Sequence, residues 1–157
     1  MIAKDKTCCF TGHRMLPNNQ NILKSALKDV LTTLIKEGVC YFGCGGARGF
    51  DTLAALTVLD FKKQYPNIKL ILVLPCRNQT KNWNRRDIEL YNTVLASADK
   101  ITYEADDYYE GCMLDRNRHL IDYSNHCVAY YDGRERGGTA YTVKYASKNG
   151  LNIYNIY

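Results

Sequence analysis

Apolar residues are distributed along the chain in two alternating rhythms. Short runs rich in β-prone residues occur at Thr7–Thr11, Val39–Phe42, Ile68–Leu74, Lys100–Tyr103, Cys127–Tyr131 and from Leu151 onward, and their lengths suit buried strands rather than helices. Between them lie segments whose apolar positions return every three or four residues. The clearest starts at Asn19, where Ile22, Leu23, Ala26, Leu27, Val30, Leu31, Leu34 and Ile35 build one stripe that Gly38 closes. Further helices are predicted around Leu53, Leu56 and Leu59, around Ile88, Tyr91 and Leu95, over Cys112–Tyr123 and over Thr139–Lys148. Apolar strands separated by amphipathic helices predict an α/β fold: a doubly wound, mostly parallel sheet with helices on both faces, joined by right-handed crossovers.

Length and composition narrow this picture. A chain of 157 residues is expected to form a single domain over residues 1–157, large enough to bury one two-faced sheet and too short for two. With 46% apolar and 24% charged residues it falls in the globular class. The net charge of +5 favours anionic partners. The bases are scattered, and only Arg85–Arg86, Arg116/Arg118 and Arg134/Arg136 form close pairs, an arrangement suited to phosphate groups. The longest strongly apolar stretch, Leu70–Pro75, is far below the roughly 20 residues that span a bilayer, so no membrane partner is expected. The opening Met1–Lys6 carries no apolar core with a small-residue cleavage site. Together with an odd number of cysteines, seven, this predicts free thiols in the reducing cytoplasm. Cys8, Cys9, Cys40, Cys76 and Cys127 read as small hydrophobes. Cys40 and Cys44 lack a second pair at ligand spacing, so neither a metal nor another cofactor is expected.

In an open parallel sheet, ligands bind beyond the carboxyl ends of the strands, where the strand order reverses. Three loops of that kind carry unusual residues. The first is Thr11-Gly12-His13-Arg14, with His13 as open to a plain loop role as to a site role. The second, Gly43 to Thr52, holds Gly45, Gly46, Ala47, Arg48, Gly49, Asp51 and Thr52. Its glycines let backbone N–H groups approach a ligand closely, Arg48 offers a charged fork, and Asp51 or Thr52 is a candidate cap for the next helix. It is neither a P-loop, which ends in Gly-Lys-Ser/Thr, nor a G-x-G-x-x-G turn. The third places Gly137, Gly138 and Thr139 at a helix start beside Arg134 and Arg136. Trp83 suits base stacking or scaffold packing. The three loops are expected to converge, with Arg14, Arg48 and the glycine turns as the anion site.

These segments resemble a known family. Cys9-Phe10-Thr11-Gly12-His13-Arg14, Gly45-Gly46-Ala47-Arg48-Gly49-Phe50-Asp51-Thr52, Leu74-Pro75-Cys76 with Gln79 and Trp83, Gly111-Cys112-Met113 with Arg116-Asn117, and Tyr131-Asp132-Gly133 before Gly137-Gly138-Thr139 are similar to the YpsA-like family of the SLOG superfamily. The resemblance implies a Rossmann-like fold and a pocket for nucleotides or nucleotide-derived signals. Ala47-Arg48-Gly49-Phe50-Asp51 resembles a segment of the DprA proteins, which bind single-stranded DNA. Arg116 and Gly138-Thr139 resemble site residues of the LONELY GUY phosphoribohydrolases, which cleave nucleoside monophosphates. Those enzymes carry a catalytic Glu three residues after the Gly-Thr pair, where this chain has Thr142. The leading expectation is therefore binding or sensing of a phosphate-bearing nucleotide, nucleotide-sugar or ADP-ribose-like ligand without turnover. A phosphoribohydrolase and a DprA-like single-strand DNA binder are the alternatives, and a homodimer is compatible with either.

Overall fold

The first long helix shows how the hydrophobic pattern is used. On α1 (Asn21–Lys36), Leu23, Leu27, Leu31 and Leu34 recur at intervals of three and four and are buried against the sheet. The remaining elements of this computed structural model are β1 (Thr7–Gly12), β2 (Tyr41–Cys44), α2 (Phe50–Lys62), β3 (Lys69–Cys76), α3 (Arg85–Ser97), β4 (Lys100–Ala105), α4 (Cys112–Asp122), β5 (His126–Tyr130), α5 (Gly138–Lys148) and β6 (Asn152–Asn155). Residues 3–157 are described; Met1 and Ile2, the first residues of the leader reading, lie outside them.

The strands form one sheet in the order β4-β3-β2-β1-β5-β6, every neighbouring pair parallel. From β1 the chain steps outward through β2 and β3 to β4, with α1, α2 and α3 sharing one face. It then returns across β1 to add β5 and β6, and α4 and α5 cover the other face. Alternation along a strand divides the core: Cys8 and Phe10 join Phe42, Leu70, Leu72 and Leu74 beneath α1–α3, while Cys9 joins Cys127, Val73, Leu120, Ile121 and Ala146 beneath α4 and α5. Burial pushes the Cys8 and Cys44 thiols well up. Cys40, expected in the core, is only half-buried.

The second strand begins two residues later than its apolar run. Gly38, at φ +99°, turns the chain at the end of α1, and the Val39 N–H donates to Leu34 O at 3.0 Å. This is the six-to-one bond of a Schellman motif. Val39 is thus held by the helix end before pairing can start.

The order of strands reverses between β1 and β5, whose register pairs Phe10 with Val128 and Gly12 with Tyr130. At this point the connections depart in opposite directions and a crevice is left at the carboxyl edge. The loop after β1 is seated on the start of α2 through Gly49. Gly49 and Gly150 both hold a left-handed φ, +79° and +78°, so alanine at either carries a backbone strain of about 1–2 kcal/mol. Only at Gly49 would the new methyl meet backbone atoms of Arg14, at 2.2–2.6 Å. Gly49→Ala is therefore expected to destabilise more than Gly150→Ala. Urea unfolding measures the difference, and equal midpoints would refute this seating.

Candidate functional site

A cavity of about 350 Å³ opens in the crevice between the carboxyl ends of β1 and β5. Residues from four separated segments line it. Thr11, Gly12, His13 and Arg14 come from the end of β1, Ala47 and Asp51 from the turn before α2 and its first turn, Met113, Leu114, Arg116 and Asn117 from the start of α4, and Arg134, Arg136, Gly137, Gly138 and Thr139 from the turn before α5.

His13 locks two of these segments together. Its backbone N–H donates to Tyr130 O at 3.2 Å and its carbonyl accepts from Phe50 N–H at 3.2 Å. Its Nε2 lies 3.0 Å from the Asp132 backbone N–H and 3.1 Å from Asp132 Oδ1. Tyr130 and Tyr131 flank the imidazole, with ring centroids 6.2 and 5.9 Å away. Gly12 is needed because the Phe50 ring occupies the space beside it: a Cβ there would lie 2.5 Å from the ring.

The start of α5 is open. Its N-cap, Gly137, has no side chain to accept from the first-turn N–H groups, which therefore remain available to an acceptor in the cavity. Two of the lining arginines are engaged. Arg134 grips the Asp132 carboxylate through Nε (3.0 and 3.1 Å) and Nη2 (2.6 Å), which holds that carboxyl well below the usual carboxylate range. Arg116 is 5% exposed; it donates through Nη1 to Gly45 O and through Nε to Asn117 Oδ1 at 2.6 Å. Arg14 and Arg136 are exposed, and among the described residues neither has a carboxylate partner.

The deepest carboxylate is Asp51, 7% exposed. The Ala47 N–H donates to its Oδ2 at 3.3 Å, and no Lys, Arg or His nitrogen among the described residues lies within ion-pair distance of it. Burial raises its pKa, against the attraction of Arg116, the Ala47 N–H and Arg14. Burial likewise lowers that of Arg116, against the attraction of Asp51. Both shifts run against the charged forms, as expected for opposite charges that share a buried site without touching.

The glycine-rich loop serves differently from its sequence reading. Gly45, Gly46, Arg48, Gly49 and Thr52 do not line the cavity. Gly45 leaves room for the Arg116 side chain, whose atoms would sit 2.7–2.8 Å from a Cβ. Arg48 stacks over Trp83, its Cζ 5.2 Å from the ring centroid, and Trp83 packs edge-on against Tyr91 at 5.4 Å. Neither Asp51 nor Thr52 is the N-cap of α2; that residue is Gly49, and the Thr52 hydroxyl donates to Ala47 O at 2.9 Å. Conversely Met15, Met113, Leu114, Asn117, Arg134 and Arg136 line the cavity without having been selected. For the two arginines and Asn117 the clue was adjacency to a selected motif, and for Met113 and Leu114 it was the Gly111-Cys112-Met113 segment of the family resemblance; for Met15 there was none. No three His, Cys, Asp or Glu side chains among the described residues group as metal ligands.

Comparison with known proteins agrees with this architecture. A family model described as the YspA SLOG family matches residues 11–157. The chain belongs to that family. The SPbeta prophage-derived protein YoqJ of Bacillus subtilis is 36% identical over 142 residues, covering 82% of each chain. YpsA of the same organism is 30% identical over 140 residues, covering 85% of this chain and 78% of that protein. Among solved structures, DNA processing protein A (DprA) from Streptococcus pneumoniae aligns with a TM-score of 0.66 at 16% identity, over 96% of this chain and 50% of that one. That likeness shows a shared Rossmann-like fold, and this chain spans half of that longer protein. No helix among the described residues is long and apolar enough to cross a membrane.

Within this SLOG chain, Thr142 is 3% exposed and its hydroxyl donates to Gly138 O at 2.8 Å. The position three residues beyond Gly138-Thr139 is thus closed off by the helix backbone.

The raised pKa of Asp51 has a thermodynamic sign. The folded chain binds this proton more tightly than the unfolded one, so the associated stability is present below the unfolded value of about 3.9 and is lost as pH rises through the folded value. Asp51→Asn removes that loss. Relative to the parent, the variant is expected to gain stability between about pH 4 and pH 7. Chemical denaturation of both proteins across that window reads the margin, and a margin independent of pH would contradict the shift.

Proposed function

We propose that this chain binds or senses a phosphate-bearing, nucleotide-derived ligand in the cavity between the ends of β1 and β5, without turning it over. The observation that carries the reading is the meeting of an uncapped helix with free arginines: the α5 start, Arg14 and Arg136 share one cavity. A helix terminus contributes about 0.3–1 kcal/mol per charge, up to about 2 when partly buried. Each charge-assisted hydrogen bond adds about 1.5–3 kcal/mol. Two or three such contacts approach the roughly 8 kcal/mol of micromolar affinity once apolar contacts are included. The volume of about 350 Å³ lies at the small end of the roughly 300–1,000 Å³ typical of ligand pockets, which favours a compact molecule of mononucleotide size.

Two observations weigh against the alternatives. Thr142 is buried and bonded to Gly138 O, so the carboxylate that N-glycosidic cleavage requires is not supplied from that position of α5. The lining arginines gather around one cavity, whereas a non-specific single-strand binder needs a basic groove that follows a backbone.

A thermal-shift screen of nucleoside monophosphates, a nucleotide-sugar and ADP-ribose tests the proposal. A ligand at about 100 times its dissociation constant adds about 2.7 kcal/mol of stability. No shift with any of them at millimolar concentration would refute phosphate recognition, and release of free base on chromatography would refute the absence of turnover. In calorimetry with the best ligand, Arg14→Ala and Arg136→Ala are each expected to lose about 1.5–3 kcal/mol of affinity while unfolding as the parent does. Arg48→Ala, which removes a contact with Trp83 instead, is expected to change affinity by no more than about 0.5 kcal/mol. An equal loss from all three would place the anion elsewhere.

A further inference from the structure

A carboxylate offers about four lone-pair positions, and Asp51 uses one of them, on the Ala47 N–H. The group is more than nine-tenths buried, lines the cavity and bears on no ion-pair partner among the described residues. Because the residue lines the cavity, its unused acceptor capacity is within reach of a ligand there. Burying a carboxylate in this state is unfavourable unless something completes its hydrogen bonding.

What completes it is constrained by charge. Arg14, Arg116, Arg134 and Arg136 line the same cavity, so a ligand ammonium near Asp51 would also lie among guanidinium groups and be repelled. Neutral donors avoid that cost. Two adjacent hydroxyls can donate together to the two oxygens of one carboxylate, and a molecule that also carries an anion for the α5 start would satisfy both ends of the cavity.

We infer that Asp51 reads the vicinal hydroxyls of a sugar phosphate, making the ligand class a ribose-type phosphate rather than a deoxyribose-type phosphate or a free anion. This rests on the phosphate site proposed above and adds the second half of the ligand. Asp51 here is a specificity-determining residue: it touches the sugar and leaves the phosphate to the arginines and α5.

The test is calorimetry with three probes, inorganic phosphate, 2-deoxyribose 5-phosphate and ribose 5-phosphate. For the parent protein, ribose 5-phosphate is expected to bind at least about tenfold tighter than the deoxy compound, the size of one hydrogen bond to a charged group. In Asp51→Asn, which keeps the side-chain volume and an acceptor for Ala47, that preference is expected to shrink severalfold while inorganic phosphate binds at least as tightly as to the parent, because a negative charge leaves the cavity. A structural role alone would move the unfolding midpoint and leave the preference intact. Equal binding of the two sugar phosphates by the parent overturns the inference even if the variant fails to fold, and so does a variant that keeps the full preference. If none of the three probes binds, the phosphate reading itself falls; if inorganic phosphate binds but the sugars are not distinguished, only the role of Asp51 does.

Discussion

A guanidinium group that is 95% removed from water must be met by protein acceptors, and satisfying Arg116 organises the carboxyl edge of this sheet. Arg116 is 5% exposed and belongs to α4, on one face of the sheet, while the carbonyl it reaches, Gly45 O, belongs to the loop that opens α2 on the other face. The contact joins the two helix layers across the point where the strand order reverses. Its requirements explain neighbouring residues. Gly45 has to lack a side chain, Asn117 supplies a second acceptor, and Asp51 supplies a countercharge without direct contact. Because burial of an arginine is expensive without such partners, α4, the α2 loop and the floor of the cavity form as one unit.

The walls are fixed by backbone rather than by charge. His13 is held by the Tyr130 carbonyl, the Phe50 N–H and the Asp132 N–H, so the ends of β1 and β5 and the start of α2 cannot move independently. Arg14 follows this frame and Arg136 lies in the turn before α5, and among the described residues neither has a carboxylate partner. Such a division, with a preformed frame and free cations, reduces the ordering cost of capturing an anion.

The fold was legible because strands buried on both faces and helices buried on one leave different periodicities, which are clear in the central strands and weakest in the edge strands β4 and β6, where no residue is fully buried. Its boundaries were less so: the Val39–Phe42 run is apolar throughout, but Val39 is taken by the end of α1, a competition that composition does not record. The site was legible at the level of loops, since the reversal of strand order selects the segments after β1 and β5. Within the second loop, reading failed where partners come from afar. Glycines that invite a ligand in sequence make room instead for Arg116 and the Arg14 backbone. Arg48, alone among those glycines, looks like an anion fork until Trp83, 35 positions away, is found beneath it. Asp51 looked like a helix cap because acidic residues at helix starts so often are; only the fold reveals that the cap is Gly49.

The disposition of carboxylates gives the cavity a direction. Among the described residues Asp51 is the one carboxylate that lines the cavity, and it has no ion-pair partner there. The cavity, about 350 Å³ in volume, is about as wide as the Debye length of about 8 Å at physiological ionic strength, so charges that meet in it are only partly screened. An anion bound beside Asp51 would raise further a proton affinity that burial has already raised, whereas an anion at the α5 start meets helix N–H groups. On the proposed phosphate reading, an anionic ligand is favoured with its charge towards Gly137-Gly138-Thr139 and its neutral part towards Asp51. For such a ligand the reversed pose is disfavoured twice over, because it places the anion against the carboxylate and leaves the helix start unmet.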